Sequence, residues 1–190
     1  MNKICVGFAI CGSFCTIPEN IKQMKYLIEK NYEVIPIMSK NAYSTDTRFG
    51  KAKDIVSNIE NICNKKIITK LTEAEPIGPK KMTDIMIISP CTGNTLSKLS
   101  MAITDGVVTL AAKSHLRRKK PLLISLATND ALGASAQNIG KMLNLKNIYF
   151  VPFSQDDPKN KPNSLVAHFD LILPSLKLAI LGEQIQPVFQ

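Results

Sequence analysis

Pro90-Cys91-Thr92-Gly93-Asn94-Thr95 places a rigid residue, a thiol, a glycine, a side-chain amide and two hydroxyls side by side. Such a segment can present several hydrogen-bond donors to one polar ligand. Asn94 either caps a following helix or reaches a ligand. Cys91 either acts as a nucleophile, its thiolate favoured by a helix N-terminus, or fills space as a small packing residue. A second segment, Gly12-Ser13, supplies a glycine that lets backbone approach a ligand and a hydroxyl that can donate to an anion. The same pair also reads as a tight turn. Ser39 and Asn41 open a third polar stretch, and Thr128-Asn129-Asp130 form a fourth. Asp130 is the candidate general base, as a carboxylate in a polar strand-exit segment.

Other chemistries find little support. Neither a G-x-G-x-x-G fingerprint nor a G-x-x-x-x-G-K-[ST] loop is present. The two histidines, His115 and His168, lie far apart and outside the polar segments, so surface or packing roles are expected and no catalytic triad or metal site can be drawn. The five cysteines lack C-x-x-C spacing and are odd in number, which fits free thiols in a reducing compartment. A formal charge of +9 suits acidic ligands. Its densest run, Arg117-Arg118-Lys119-Lys120, reads as a solvated helix end, and few aromatics accompany it to favour nucleic acid. No apolar run reaches the roughly 20 residues of a membrane span, and the N-terminal run lacks a cleavage pattern, so a cytoplasmic protein is expected.

The polar segments need elements to position them. Lys3–Ile10 is a continuous apolar run, as expected of a strand covered on both faces. Thr16-Ile17-Pro18-Glu19 predicts a capping box, and Ile17, Ile21, Met24 and Ile28 continue at helical spacing. Further strands are predicted at Tyr32–Met38, Asp84–Ser89, Pro121–Ala127 and Asn147–Val151. Helices are predicted through Ala52–Ile62, Leu96–Ile103, 104–116 and Leu132–Leu143, with 39–47 and 70–81 as irregular connections. From about Ser164 the chain reads as helical, broken at Pro174 and stopped at Gly182. The 190 residues suit one domain spanning 1–190. Alternating strands and helices imply a doubly wound parallel sheet, whose ligands bind outside the carboxyl ends of the strands. All four polar segments fall there.

The pairing of Gly7-Phe8-Ala9-Ile10-Cys11-Gly12-Ser13 with Pro90–Thr95 resembles the flavoprotein family, which includes flavin-dependent cysteine decarboxylases and flavin prenyltransferases. Pro90–Thr95 is similar to the family's P-x-S/T-A/G-N-T turn, which contacts flavin mononucleotide (FMN). Ser89–Leu99, Ile103–Gly106, Ala111–Arg117, Ala127–Gly133, Gln155–Asp157 and Lys161–Ser164 resemble one branch of that family, the B subunits of a two-subunit synthase. The likeness implies a three-layer, Rossmann-type and flavodoxin-like α/β fold, and FMN against Gly12, Ser13, Ser39, Asn41, Cys91, Thr92, Gly93, Asn94, Thr95, Thr128 and Asn129. It also implies a homo-oligomer working with the synthase's A subunit, which carries NADP. The implied reaction is oxidation of a dihydrodipicolinate-type dicarboxylate to dipicolinate in the mother cell during sporulation. A stand-alone FMN-dependent decarboxylase or prenyltransferase, and a non-catalytic supporting subunit, are the alternatives. The sequence departs from the decarboxylases in having no histidine before His115 and in carrying Ala127-Thr-Asn-Asp-Ala-Leu-Gly133 where they carry P-x-M-N-x-x-M.

Overall fold

Strands β1 (Cys5–Ile10), β2 (Glu33–Met38), β3 (Ile85–Cys91), β4 (Leu122–Thr128) and β5 (Ile148–Phe150) pair in parallel in the order 2-1-3-4-5. The computed structural model describes residues 3–190. Every residue of β3 is buried, as a central strand with helices on both faces requires. Helices α1 (Ile17–Glu29) and α3 (Ala52–Cys63) pack on one face, joined by α8 (Ile172–Leu181). The other face carries α5 (Gly93–Ser100), α6 (Val107–Leu116) and α7 (Ala136–Leu143). Two short helices, α2 (Lys40–Ser44) and α4 (Leu71–Ala74), lie in the crossover between β2 and β3.

The sheet is mixed. Strands β6 (Phe153–Ser154) and β7 (Leu165–Ala167) extend it antiparallel, β7 pairing with the Ala127–Thr128 end of β4 beyond the short β5. The helix expected from Ser164 therefore starts later. Pro174 does not break it but lies in the first turn of α8, where a missing N–H leaves no bond unmade. Gly182 ends that helix with φ +86°, the left-handed conformation open to glycine.

Several local expectations are corrected by competing contacts. Thr16 makes no side-chain cap, because a 3-10 turn over Phe14–Thr16 directs its hydroxyl to the Ser13 carbonyl at 2.9 Å. Glu19 pairs instead with Lys22 at 2.9 Å. The polar stretch after β2 is not all loop, since the Ser39 hydroxyl caps α2 by accepting the Ala42 N–H at 3.4 Å. Strand β3 runs two residues past Ser89, and α5 begins at Gly93 and closes at Ser100, leaving Ile103 outside it. Leu132 likewise precedes α7 and is exposed. The segment after α4 packs under α6: the Gly78 N–H donates to the Ser114 hydroxyl at 2.9 Å, and that hydroxyl donates to the Glu75 carbonyl at 2.5 Å. All five cysteines are free thiols. Among the described residues no helix is long and apolar enough to cross a membrane, and no cluster of metal-ligating side chains occurs.

Candidate functional site

A strand order of 2-1-3-4-5 reverses direction between β1 and β3, so the loops leaving those two strands diverge and open a crevice. A cavity of about 810 Å³ occupies this position. Its floor is tied together where the Cys11 N–H donates to the Pro90 carbonyl at 3.2 Å, joining the ends of β1 and β3. The Thr95 hydroxyl donates to Cys11 Sγ at 3.2 Å and also lies 3.1 Å from the Thr92 hydroxyl. The Thr92 hydroxyl accepts the Thr95 N–H at 3.3 Å, which makes Thr92 the cap of α5. Asn94 is thereby released from capping and stands exposed on the cavity wall.

Two helix N-termini meet at this cavity. The Gly93 and Asn94 amides opening α5 have no acceptor among the described residues, and neither have the Val107, Val108 and Thr109 amides opening α6. Val107, Val108 and Thr109 line the wall facing the β2 side, where Ser39, Lys40, Asn41, Tyr43, Thr69 and Leu71 stand. Unmatched amides at helix starts favour a negatively charged group. Lys98 and Asp105 span the α5–α6 connection, the ammonium donating to both carboxylate oxygens at 2.8 and 2.9 Å. The hydrogen bond from Lys98 holds the Asp105 carboxyl below the usual carboxylate range.

The cavity gathers Gly12, Ser39, Asn41, Thr92, Asn94 and Thr95 of the residues expected from sequence. Ser13 is half-buried and turned to Thr16, its hydroxyl accepting from the Thr16 hydroxyl at 3.1 Å. Cys91 is fully buried off the cavity, and burial, reinforced by neighbouring Cys11, holds its thiol protonated. Of the two readings of Cys91, its burial fits the packing thiol. Burial also pushes Cys11 up to about 11. Asp130 is displaced from the expected place. Its carboxylate accepts from the hydroxyls of Thr128 and Ser135, the latter at 3.0 Å, and lines a separate depression with Ser97 and Lys141. A Cβ on Gly93 would stand 2.7 Å from both Asp130 Oδ1 and Thr128 Oγ1 and 2.9 Å from the Ser135 hydroxyl. Thr128 and Asp130 thus brace the first turn of α5 from behind rather than face the cavity, and exposed Asn129 does not line it.

Sequence reasoning missed Lys40, Tyr43, Leu71, Lys98, Asp105 and the α6 start. Thr104-Asp105-Gly106 was a usable signal for the last, since a small-residue stop before an apolar helix marks another set of free amides. Lys98 and Asp105 are seven positions apart across a helix end, and no periodic spacing announces their pairing.

This architecture is that of a flavoprotein: the chain belongs to the Flavoprotein family, whose sequence profile matches residues 1–170. It is similar to the B subunit of dipicolinate synthase from Bacillus subtilis (strain 168), at 42% identity over 183 residues, covering 96% of this chain and 92% of the relative. The crystal structure of the corresponding B subunit from Bacillus halodurans C superimposes with a TM-score of 0.91 and 42% identity, over 100% of this chain and 98% of that one. More distant likenesses share the fold. The FMN-dependent cysteine decarboxylase SpaF gives a TM-score of 0.66 at 17% identity over 94% of this chain and 95% of its own. The FMN binding protein AtHal3 gives 0.65 at 18% identity over 93% and 96%.

Proposed function

We propose that this chain is the B subunit of a dipicolinate synthase, binding FMN in the cavity between β1 and β3. The reading rests above all on near-full-length similarity, at 42% identity, to two B subunits of that synthase. The residues present fit a flavin nucleotide. The cavity is roomy enough for a nucleotide and a small ligand, given that such sites run to about 300–1,000 Å³. Gly12 adds a second argument. Its φ is not positive, and a Cβ there would meet only ordinary contacts, the nearest being the Phe14 ring at 3.6 Å. Neither backbone nor packing demands glycine, so the bare position is explained by an approaching ligand.

Ser39, Asn41, Thr92, Asn94 and Thr95 would hold the group, with the free amides of α5 and α6 drawing its anionic part. When bound, FMN supplies a hydride acceptor. The chain's own work is to orient the substrate ring and exclude water from it, with Tyr43, Leu71, Val107 and Val108 supplying apolar surface. Asp130 is given a bracing role rather than that of the base. The substrate is a dihydrodipicolinate-type dicarboxylate, the partner is the A subunit of dipicolinate synthase, which carries NADP, and the chain assembles as a homo-oligomer. The setting is the mother-cell cytoplasm of a sporulating bacterium.

The test is the near-visible absorption spectrum of the purified chain, before and after adding FMN, with and without the A subunit. Flavin bands that shift on binding, and product formation that needs both proteins, are the expected outcome. A colourless chain that ignores FMN even beside its partner refutes the cofactor assignment.

A further inference from the structure

The charged groups of the β1/β3 cavity are few and unequally engaged. Asp105 is the carboxylate among its lining residues, and both oxygens are occupied by Lys98. An ammonium carries three N–H donors, so Lys98 keeps one that Asp105 does not use. Lys40 also lines the cavity and has no ion pair or side-chain hydrogen bond among the described residues. The two lysines stand on different walls, Lys40 at the start of α2 beyond β2 and Lys98 in the last turns of α5. Apolar surface from Tyr43, Leu71, Val107 and Val108 lies in the same cavity. A planar ring suits that surface, and a carboxylate at each end suits a cation on each wall.

We infer that Lys40 and Lys98 are the specificity-determining residues of this site, each receiving one carboxylate of a planar dicarboxylate ligand. The inference deepens the proposed function and rests on its placing substrate and flavin in this cavity. Asp105 acts as a positioning residue: it holds the Lys98 ammonium at the α5–α6 connection while leaving a donor for the ligand. The flavin phosphate is the other anion that could engage either lysine, and the two sources are separable by experiment.

The experiment is calorimetric titration of the full chain, by itself and with the A subunit, with four probes: pyridine-2,6-dicarboxylate, pyridine-2-carboxylate, FMN and riboflavin. The pyridine probes are titrated into FMN-loaded protein. The parent protein should prefer the dicarboxylate to the monocarboxylate by about tenfold or more, the low end of what a hydrogen bond to a charged group contributes. Lys40→Met and Lys98→Met should each weaken the dicarboxylate by about 10- to 100-fold and erase most of that preference, with FMN affinity unchanged. Because Lys98→Met strands Asp105, the double substitution Lys98→Met with Asp105→Asn is measured beside it. The double variant should stay weak for the dicarboxylate, and Lys98→Arg should recover it. Dicarboxylate affinity unchanged in both lysine variants overturns the inference and leaves the proposed function standing. Loss of FMN with riboflavin unaffected also overturns it, since the lysine then serves the phosphate. A parent complex that binds FMN but neither pyridine probe overturns the inference alone, and one that binds neither the probes nor FMN overturns the cofactor assignment as well.

Discussion

His115 predicts a specific acid sensitivity of this fold. Its ring sits at the end of α6, fully buried, with Nε2 at 2.9 Å from the Pro121 carbonyl and Nδ1 at 2.8 Å from the Thr83 hydroxyl. A carbonyl only accepts, so Nε2 carries the proton and Nδ1 accepts from Thr83, which leaves the ring neutral with both nitrogens satisfied. Burial lowers its pKa from 6.5 to about 4, against the opposing pull of the Pro121 carbonyl and with lesser help from Arg118 and Lys120. Above pH 6.5 folded and unfolded chains are both neutral here, and the full contribution is present. Below 6.5 the unfolded chain takes up a proton that the folded chain refuses, so stability falls until the pH passes about 4. The gap corresponds to about 3 kcal/mol in all, of which about 2 kcal/mol is lost by about pH 5. Denaturant unfolding of the parent and of His115→Gln across about pH 7.5, 6 and 5 isolates this ring, because carboxylate effects are common to both chains. The parent should lose about 2 kcal/mol more than the variant over that range. With only two histidines in the chain, NMR can follow the ring directly. A His115 signal titrating near 6.5 in the folded protein, or parallel stability curves, would refute the reasoning.

Three further substitutions probe the site and its supports. Gly93→Ala should cost about 1–3 kcal/mol by overpacking, because the Thr128, Asp130 and Ser135 side chains interlock behind it, and FMN affinity should fall as α5 shifts. Equal flavin titrations of parent and variant would show that the α5 start does not touch the ligand. Gly12→Ala should change stability by less than about 1 kcal/mol and still weaken FMN about tenfold or more, the reverse of a packing defect; a thermal melt beside a flavin titration decides. Gly78→Ala should cost about 3 kcal/mol or prevent folding, since its Cβ would overlap the Ser114 carbonyl, and circular dichroism with denaturant measures this.

Local regularities along the chain were enough to specify the five parallel strands, the longer helices between them and the end of the sheet at which the candidate cavity opens. They include continuous apolar runs such as that in β1, helical spacing such as Ile17, Ile21, Met24 and Ile28, and small polar residues at each strand exit. The family resemblance was legible for the same reason, because Pro90–Thr95 is one contiguous turn. Which polar residues share a cavity, by contrast, was settled by packing between elements. Thr92 rather than Asn94 caps α5, and Asp130 turns behind Gly93 instead of toward the crevice. Both outcomes depend on which hydroxyls lie nearby in space. The antiparallel β7 arises because β5 covers only the first part of β4 and leaves the Ala127–Thr128 edge to be paired. Lys98 and Asp105 meet across a helix end, Lys40 lines the same cavity from another crossover, and the buried His115 ring finds its hydrogen-bond partners in Thr83 and Pro121 from two separate connections. Contacts of that kind carry no period along the chain, since they are set by how the layers close on one another, and they become visible once the chain is folded.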